Sequence, residues 1–150
     1  MKTIALDLEA LLAAYLPQLH RLSDQNTELR PAQGKWSKKE LIGHLVDSAQ
    51  NNIRRFITAQ YEETPLIVYD QDKWVSAQRY QEYEWKDLVQ LWYLLNGQVV
   101  ILIRNMPEVA ARRTCQTQEL HTLEWLAADY IKHLQHHLHQ VLDMEPVAYP

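Results

Sequence analysis

The chain has 150 residues, a formal net charge of −4, 47% hydrophobic residues and 23% charged residues, the length and balance of one soluble domain with a real core. A net negative chain offers no electrostatic case for nucleic acid or an anionic membrane surface. The only cysteine, Cys115, excludes an intrachain disulfide and fits a reducing compartment.

The first stretch, MKTIALDLEALLAAYL, is not read as a secretion signal, because Asp7 and Glu9 interrupt its apolar run. Its apolar positions Leu8, Leu12, Tyr15, Leu16 and Leu19 recur with helical spacing and predict a helix over 4–22, with Pro17 kinking it or ending its regular part. LRPAQGKW then breaks the pattern. Ser37-Lys38-Lys39-Glu40 has the spacing of a capping box, and Trp36 and Leu41 stand where a hydrophobic staple would pack. A second helix is expected from Ser37 to about Tyr61.

Residues 62–85 form a long aromatic-rich connection with a short helix expected near Lys73–Tyr80. Connections of this length are uncommon in compact domains unless they cover a site. A third helix is expected over Trp85–Asn105, stopping before Pro107. Its apolar stretch LWYLLNGQVVILI is too short and too polar to span a bilayer. The fourth helix is expected from Thr122 to about Asp143. Four helices of about 20 residues imply an all-α antiparallel four-helix bundle without a substantial sheet. We expect a single domain over 1–150, soluble and cytoplasmic.

The last helix contains YIKHLQHHLHQVL. At about 100° per residue, His137 lies about 40° from His133, among Leu126, Tyr130, Val141 and Leu134. His136 and His139 fall on the opposite side with Lys132. The inward pair has the i, i+4 spacing that places two nitrogens near one ion, although a buried histidine bonded to a neighbour explains either position alone. The second helix adds a polar stripe of His44, Asp47, Ser48, Asn51 and Arg55, opposite Ile42, Val46, Ala49, Ile53, Phe56 and Ile57. Lys and Glu, the usual solvating residues, are missing from that stripe, so it reads as the wall of a polar cleft rather than a solvated face.

Three imidazoles from two helices would leave coordination positions open for water or substrate, as catalytic zinc sites do. Asp47 is expected to orient a ligating imidazole through its other ring nitrogen, and Arg55 to hold a substrate carboxylate with help from Asn51. Simple local pairing or capping is the alternative for Asp47 and Arg55. Tyr69, Asp70 and Trp74 are candidates for a lid, and Cys115 for a loop or core residue without a catalytic part.

GKWSKKELIGHLVDSAQNNIRRF, YDQDKW and TLEWLAADYIKHLQHHLHQVL together resemble the DinB-like superfamily of four-helix-bundle proteins. Within it the closest pattern is the branch of YfiT-like metal-dependent hydrolases and bacillithiol transferases. The resemblance covers Gly34 to Leu142. It implies a divalent metal, nickel or zinc, held by His44, His133 and His137, with His136 and His139 excluded, and it implies a possible homodimer. The reading it supports is a metal-dependent enzyme that activates a thiol or water nucleophile. Transfer of a low-molecular-weight thiol to small electrophiles is placed first, with hydrolysis of small substrates or non-catalytic binding of a metal or small molecule as alternatives.

Overall fold

The computed structural model describes residues 1–149. Four long helices carry the fold: α1 (Lys2–Leu19), α3 (Lys38–Thr58), α5 (Trp85–Asn105) and α7 (Leu123–Val141). Shorter elements fill the connections: α2 (Asp24–Glu28), α4 (Gln71–Gln78), α6 (Glu108–Ala111), and the strands β1 (Thr114–Gln116) and β2 (Leu120–Thr122). The strands pair antiparallel, with Cys115 opposite His121, and a single parallel bridge ties Leu66 to Gln116.

Local chemistry starts the helices where the sequence says it should. Ser37 accepts from the Glu40 backbone N–H while the Glu40 carboxylate accepts from the Ser37 N–H, closing the capping box. Thr122 caps α7 by accepting from Trp125 N–H at 3.1 Å, and Asp70 caps α4 through Lys73 N–H. α1 runs through Pro17 and ends at Leu19, one turn short of the expected end.

The main neighbours of α1 are α5 and α7, and those of α3 are likewise α5 and α7. α1 and α3 therefore sit diagonally across the bundle, as do α5 and α7. The Asp24 carboxylate meets both Lys39 Nζ (3.2 Å) and Trp85 N–H (2.9 Å), which brings the starts of α3 and α5 together and makes them run parallel. Tyr15 meets His139, so α1 and α7 are parallel too. Arg104 bonds Glu9 and Lys38 pairs with Asp143, so the antiparallel neighbours are α1 with α5 and α3 with α7. Two parallel neighbours require a long crossover. Residues 59–84 supply it.

The core is built from Leu8, Leu12, Leu19, Ile42, Val46, Phe56, Leu88, Trp92, Ile103, Leu134 and Leu138, among others. α3 is the central element, since residues 42–49 are all buried, apolar and polar alike. Its expected core stripe holds at Ile42, Val46, Ala49 and Phe56, while Ile57 turns out 40% exposed. Gly43 is needed here because a Cβ at that position would overlap the ring of Tyr80. The Tyr80 side chain is 1% exposed and donates its hydroxyl to Asp47 Oδ1 at 2.6 Å.

Gly43→Ala should therefore cost stability even though alanine is the better helix former. Overpacking of about 1–3 kcal/mol outweighs a propensity gain of up to about 1 kcal/mol. A lower urea midpoint with an unchanged slope is the expected result.

Candidate metal centre

α3 presents His44, and α7 presents His133 and His137. One ligand atom from each can be chosen so that all three lie within 4.8 Å of one another. His44 Nε2 and His133 Nε2 face each other at 3.0 Å. The ring centroids stand 5.0 Å (His44–His133), 4.9 Å (His44–His137) and 4.7 Å (His133–His137) apart. Trp36, from the staple position before α3, lies 5.0 Å from His44 and covers it. His44 is 1% exposed.

Burial lowers the basicity of all three imidazoles, and their mutual repulsion adds to it. His44 is pushed down to about 3, first by desolvation and then by His137. His133 falls well below the ordinary histidine value for the same first reason, with His137 and His44 contributing. His137 is lowered by burial against an opposing hydrogen bond to Gln140. Near neutral pH the group therefore consists of neutral rings with lone pairs, the form that binds a metal.

The cluster borders a cavity of about 590 Å³, whose lining includes His44, His133, Arg55, Tyr69, Trp125 and Tyr149. His121 stacks flat on Trp125 with centroids 3.6 Å apart at the edge of this space. Tyr69 and Asp70 line the cavity as the long connection crosses it. Trp74 does not line it, and packs edge-on against Tyr69 at 5.5 Å.

The other expected site residues occupy more varied positions. Arg55 lines the cavity, but its Nε and Nη2 already donate to the Ile67 carbonyl at 3.2 and 3.0 Å, and Nη1 reaches Asn52 Oδ1 at 3.4 Å. These acceptors are all neutral, and burial lowers the guanidinium from its ordinary value. Asp47 is buried behind the cluster. Its Oδ1 accepts from Tyr80, while Oδ2 has no partner, and neither does His44 Nδ1 one turn earlier. Desolvation is the main cause that pushes the Asp47 carboxyl up to about 6. The Asn51 amide turns back to the Asp47 backbone carbonyl at 2.9 Å, and Asn52 instead lines the cavity. Cys115 is fully buried, and its thiol donates to the Pro65 carbonyl at 3.3 Å.

His136 and His139 are not part of the three-histidine group, although the His136 ring lies 5.0 Å from that of His137. Both are half-buried rather than solvated, because residues 142–149 fold back along α7. His136 Nδ1 meets the Val147 carbonyl at 2.7 Å and His139 Nδ1 the Glu145 carbonyl at 2.6 Å. Tyr149 donates to Asp129 Oδ2 at 2.8 Å and stands edge-on to His133 at 5.4 Å. Sequence reasoning missed Tyr149, Asp129 and the His121–Trp125 stack. The first lies outside every periodic segment, and the stack depends on the hairpin that precedes α7. Asn52 was within reach, since it lies about 80° from His44 on the wheel, beside Ser48.

The donor set fits a divalent ion. The facing Nε2 atoms of His44 and His133 can share a single proton, but a cation would satisfy both lone pairs and that of the third ring. A ligating imidazole normally donates from its other nitrogen; the Nδ1 of His44 has no partner here, and Asp47 Oδ2, also unpaired, is an acceptor one turn away.

Comparisons with known proteins show the family and the fold. A Bacillus subtilis protein named "Putative metal-dependent hydrolase YfiT" is 26% identical over 127 residues, covering 82% of this chain and 71% of its own. A Halalkalibacterium halodurans protein bearing the same description is 27% identical over 128 residues, covering 81% and 74%. Among solved structures, that of YfiT from Bacillus subtilis, described as having "an unusual four-helix bundle topology", superposes with a TM-score of 0.84 at 24% identity, over 94% of this chain and 83% of that one. A mycothiol-dependent maleylpyruvate isomerase superposes with a TM-score of 0.72 at 16% identity, over 97% of this chain but 61% of the isomerase. The DinB superfamily profile matches residues 7–141, and with the match covering most of the sequence the chain belongs to the DinB superfamily.

Proposed function

We propose that this protein is a metal-dependent enzyme whose three-histidine centre activates a thiol or water nucleophile, with transfer of a low-molecular-weight thiol to small electrophiles placed ahead of hydrolysis. One observation carries the reading. Three neutral imidazoles bring their ligand atoms together, and two of them, His44 and His133, line a cavity large enough for a small substrate. Imidazole donors suit zinc and nickel, and three of them leave room for a substrate atom. When bound, such an ion lowers the pKa of a water or thiol, so that either becomes a nucleophile near neutral pH.

The chain's own residues supply holding and positioning. Asp47 Oδ2 and the His44 Nδ1–H form a complementary acceptor and donor one helical turn apart, and we assign Asp47 the orientation of that ring. Asn51 braces the turn that carries Asp47 by bonding its carbonyl. Arg55, fixed by the Ile67 carbonyl and facing the cavity, is the cation that holds an anionic group of the substrate. Trp36 and Tyr149 shield the imidazoles from bulk water. The hydrolytic alternative has support of its own, since both curated relatives are named "Putative metal-dependent hydrolase". The thiol reading draws on the isomerase of similar fold, which is mycothiol-dependent.

Protein purified without a histidine tag should carry one zinc or nickel ion per chain by elemental analysis. His133→Ala should remove most of it, and His139→Ala should leave it nearly intact. Equal losses would contradict the assignment. Metal-free protein should lose activity in a thiol screen with a chromogenic electrophile and regain it with zinc or nickel. Arg55→Ala should raise KM at unchanged metal content. Turnover of simple esters or amides without any thiol would place hydrolysis first.

The depressed imidazoles also set an acid limit for the metal-free protein. Their folded pKa values lie below the unfolded value of about 6.5, so the unfolded chain binds more protons below that pH and stability falls as the medium acidifies. At pH 5 His44 alone would account for about 2 kcal/mol. Asp47 acts in the opposite sense, because its raised folded pKa costs stability as pH rises from about 4 to 6, but one carboxyl is outweighed by three imidazoles. The urea midpoint should drop between pH 7.5 and 5, and drop less when zinc is present.

A further inference from the structure

The contacts of His136 and His137 form a chain whose direction can be read outward from its end. The Val147 carbonyl can only accept, so His136 Nδ1, 2.7 Å away, must carry a proton. In a neutral ring the other nitrogen, Nε2, is then an acceptor. Gln140 Nε2 lies 2.9 Å from it and donates. That fixes the orientation of the Gln140 amide, and its Oε1, 2.9 Å from His137 Nδ1, must accept. His137 therefore holds its proton on Nδ1, and the lone pair of Nε2 is left for the cluster.

We propose that His136 and Gln140 are positioning residues for the metal centre, and that the Val147 carbonyl sets the direction of a hydrogen-bond chain presenting His137 Nε2 as a free ligand. The spacing makes this possible, since Gln140 lies three residues after His137 and four after His136, on one side of α7. The backbone beyond α7 is held in place independently. Asp143 takes a left-handed conformation (φ 53°) that reverses the chain, and Met144 N–H donates to the His139 carbonyl at 2.9 Å. His139 repeats the logic of His136. Its Nδ1 donates to the Glu145 carbonyl, so its Nε2 accepts from the Tyr15 hydroxyl at 2.8 Å. The two histidines outside the metal group thus clip residues 142–149 to α7 and α1. Through His136, the clipped segment fixes the tautomer of a ligand.

The role toward the ion rests on the reading of the three histidines as a metal centre, but the tautomer does not. Long-range proton–nitrogen correlation NMR on the uniformly labelled, metal-free full chain above neutral pH distinguishes the two tautomers. His136, His137 and His139 should all be protonated on Nδ1. In Gln140→Leu, His137 should move toward the Nε2-protonated form while His139 does not. Gln140→Glu, which still accepts from His137 Nδ1, should keep the wild-type tautomer. Zinc affinity should fall about 10–100-fold in Gln140→Leu, the usual scale for loss of a group that orients a ligand, and stay near wild type in Gln140→Glu. A wild-type His137 protonated on Nε2, or a Gln140→Leu variant with unchanged tautomer and zinc affinity, would overturn the inference. Failure of the wild type to bind zinc, with the tautomers as stated, would overturn the metal reading alone.

Discussion

Everything at the centre of this molecule follows from the burial of α3 on both sides. A helix with one buried stripe can turn its polar residues to water, but residues 42–49 have no such side. Each polar group there must find a protein partner or carry a desolvation cost of a few kcal/mol. Most do. Asn51 and Asn52 turn back to the carbonyls of Asp47 and Ser48, and Asp47 takes the Tyr80 hydroxyl. Across the core, Asn96 and Tyr130 satisfy each other at 2.8 Å in the same way. The groups left over on α3 are His44 Nδ1 and Asp47 Oδ2, beside three imidazoles that face mainly one another. Incomplete pairing concentrated at one point of an otherwise satisfied helix marks a place built to take something more.

The bundle's connectivity makes room for that point. Short loops between antiparallel neighbours would have closed the bundle on itself. Here α3 and α5 run parallel, so the chain must travel back along the molecule between them, and residues 59–84 do so across the mouth of the cavity. The bridge from Leu66 to Gln116 ties that passage to the small hairpin, and the hairpin in turn delivers His121 and Trp125 to the opposite rim. Arg55 bonds the Ile67 carbonyl on the same passage, so a residue of α3 anchors the strand that covers it. Its guanidinium is therefore oriented before any substrate arrives. The entropic cost of fixing it has already been met in folding.

Much of this was legible in the sequence because it is local. The capping box at Ser37 and the cap at Thr122 set the register of α3 and α7, and register decides which way each histidine points. The wheel separated His133 and His137 from His136 and His139 without reference to a partner helix. What stayed hidden depends on contacts distant in sequence or on backbone outside the regular elements. The parallel pairing of α3 with α5 comes from Asp24 meeting both helix starts, which periodicity does not encode. Asn51 lies within the polar stripe and Asn52 at its edge beside Ser48, and the cavity is lined by the second of them. The fold-back at Asp143 is made by a non-glycine residue at positive φ, a conformation for which the sequence carries little signal.

That fold-back changes what the histidine-rich stretch means. Read as a face, His136 and His139 are solvated surplus beside the two that matter. Read with residues 142–149 in place, each is a donor to a backbone carbonyl that would otherwise face water, and each is held in one tautomer by that carbonyl. The same side chain therefore does two things that need opposite ends of its ring: Nδ1 fastens a segment, and Nε2 receives a hydrogen bond from the bundle. A lysine at either position could do the first but not the second, because an ammonium has no acceptor. A neutral imidazole carries one N–H and one lone pair on its two nitrogens, so the carbonyl at one end fixes the direction at the other. Imidazole between a carbonyl and Gln140 transmits it, which gives a physical reason for histidine at position 136 beyond any affinity for the ion itself.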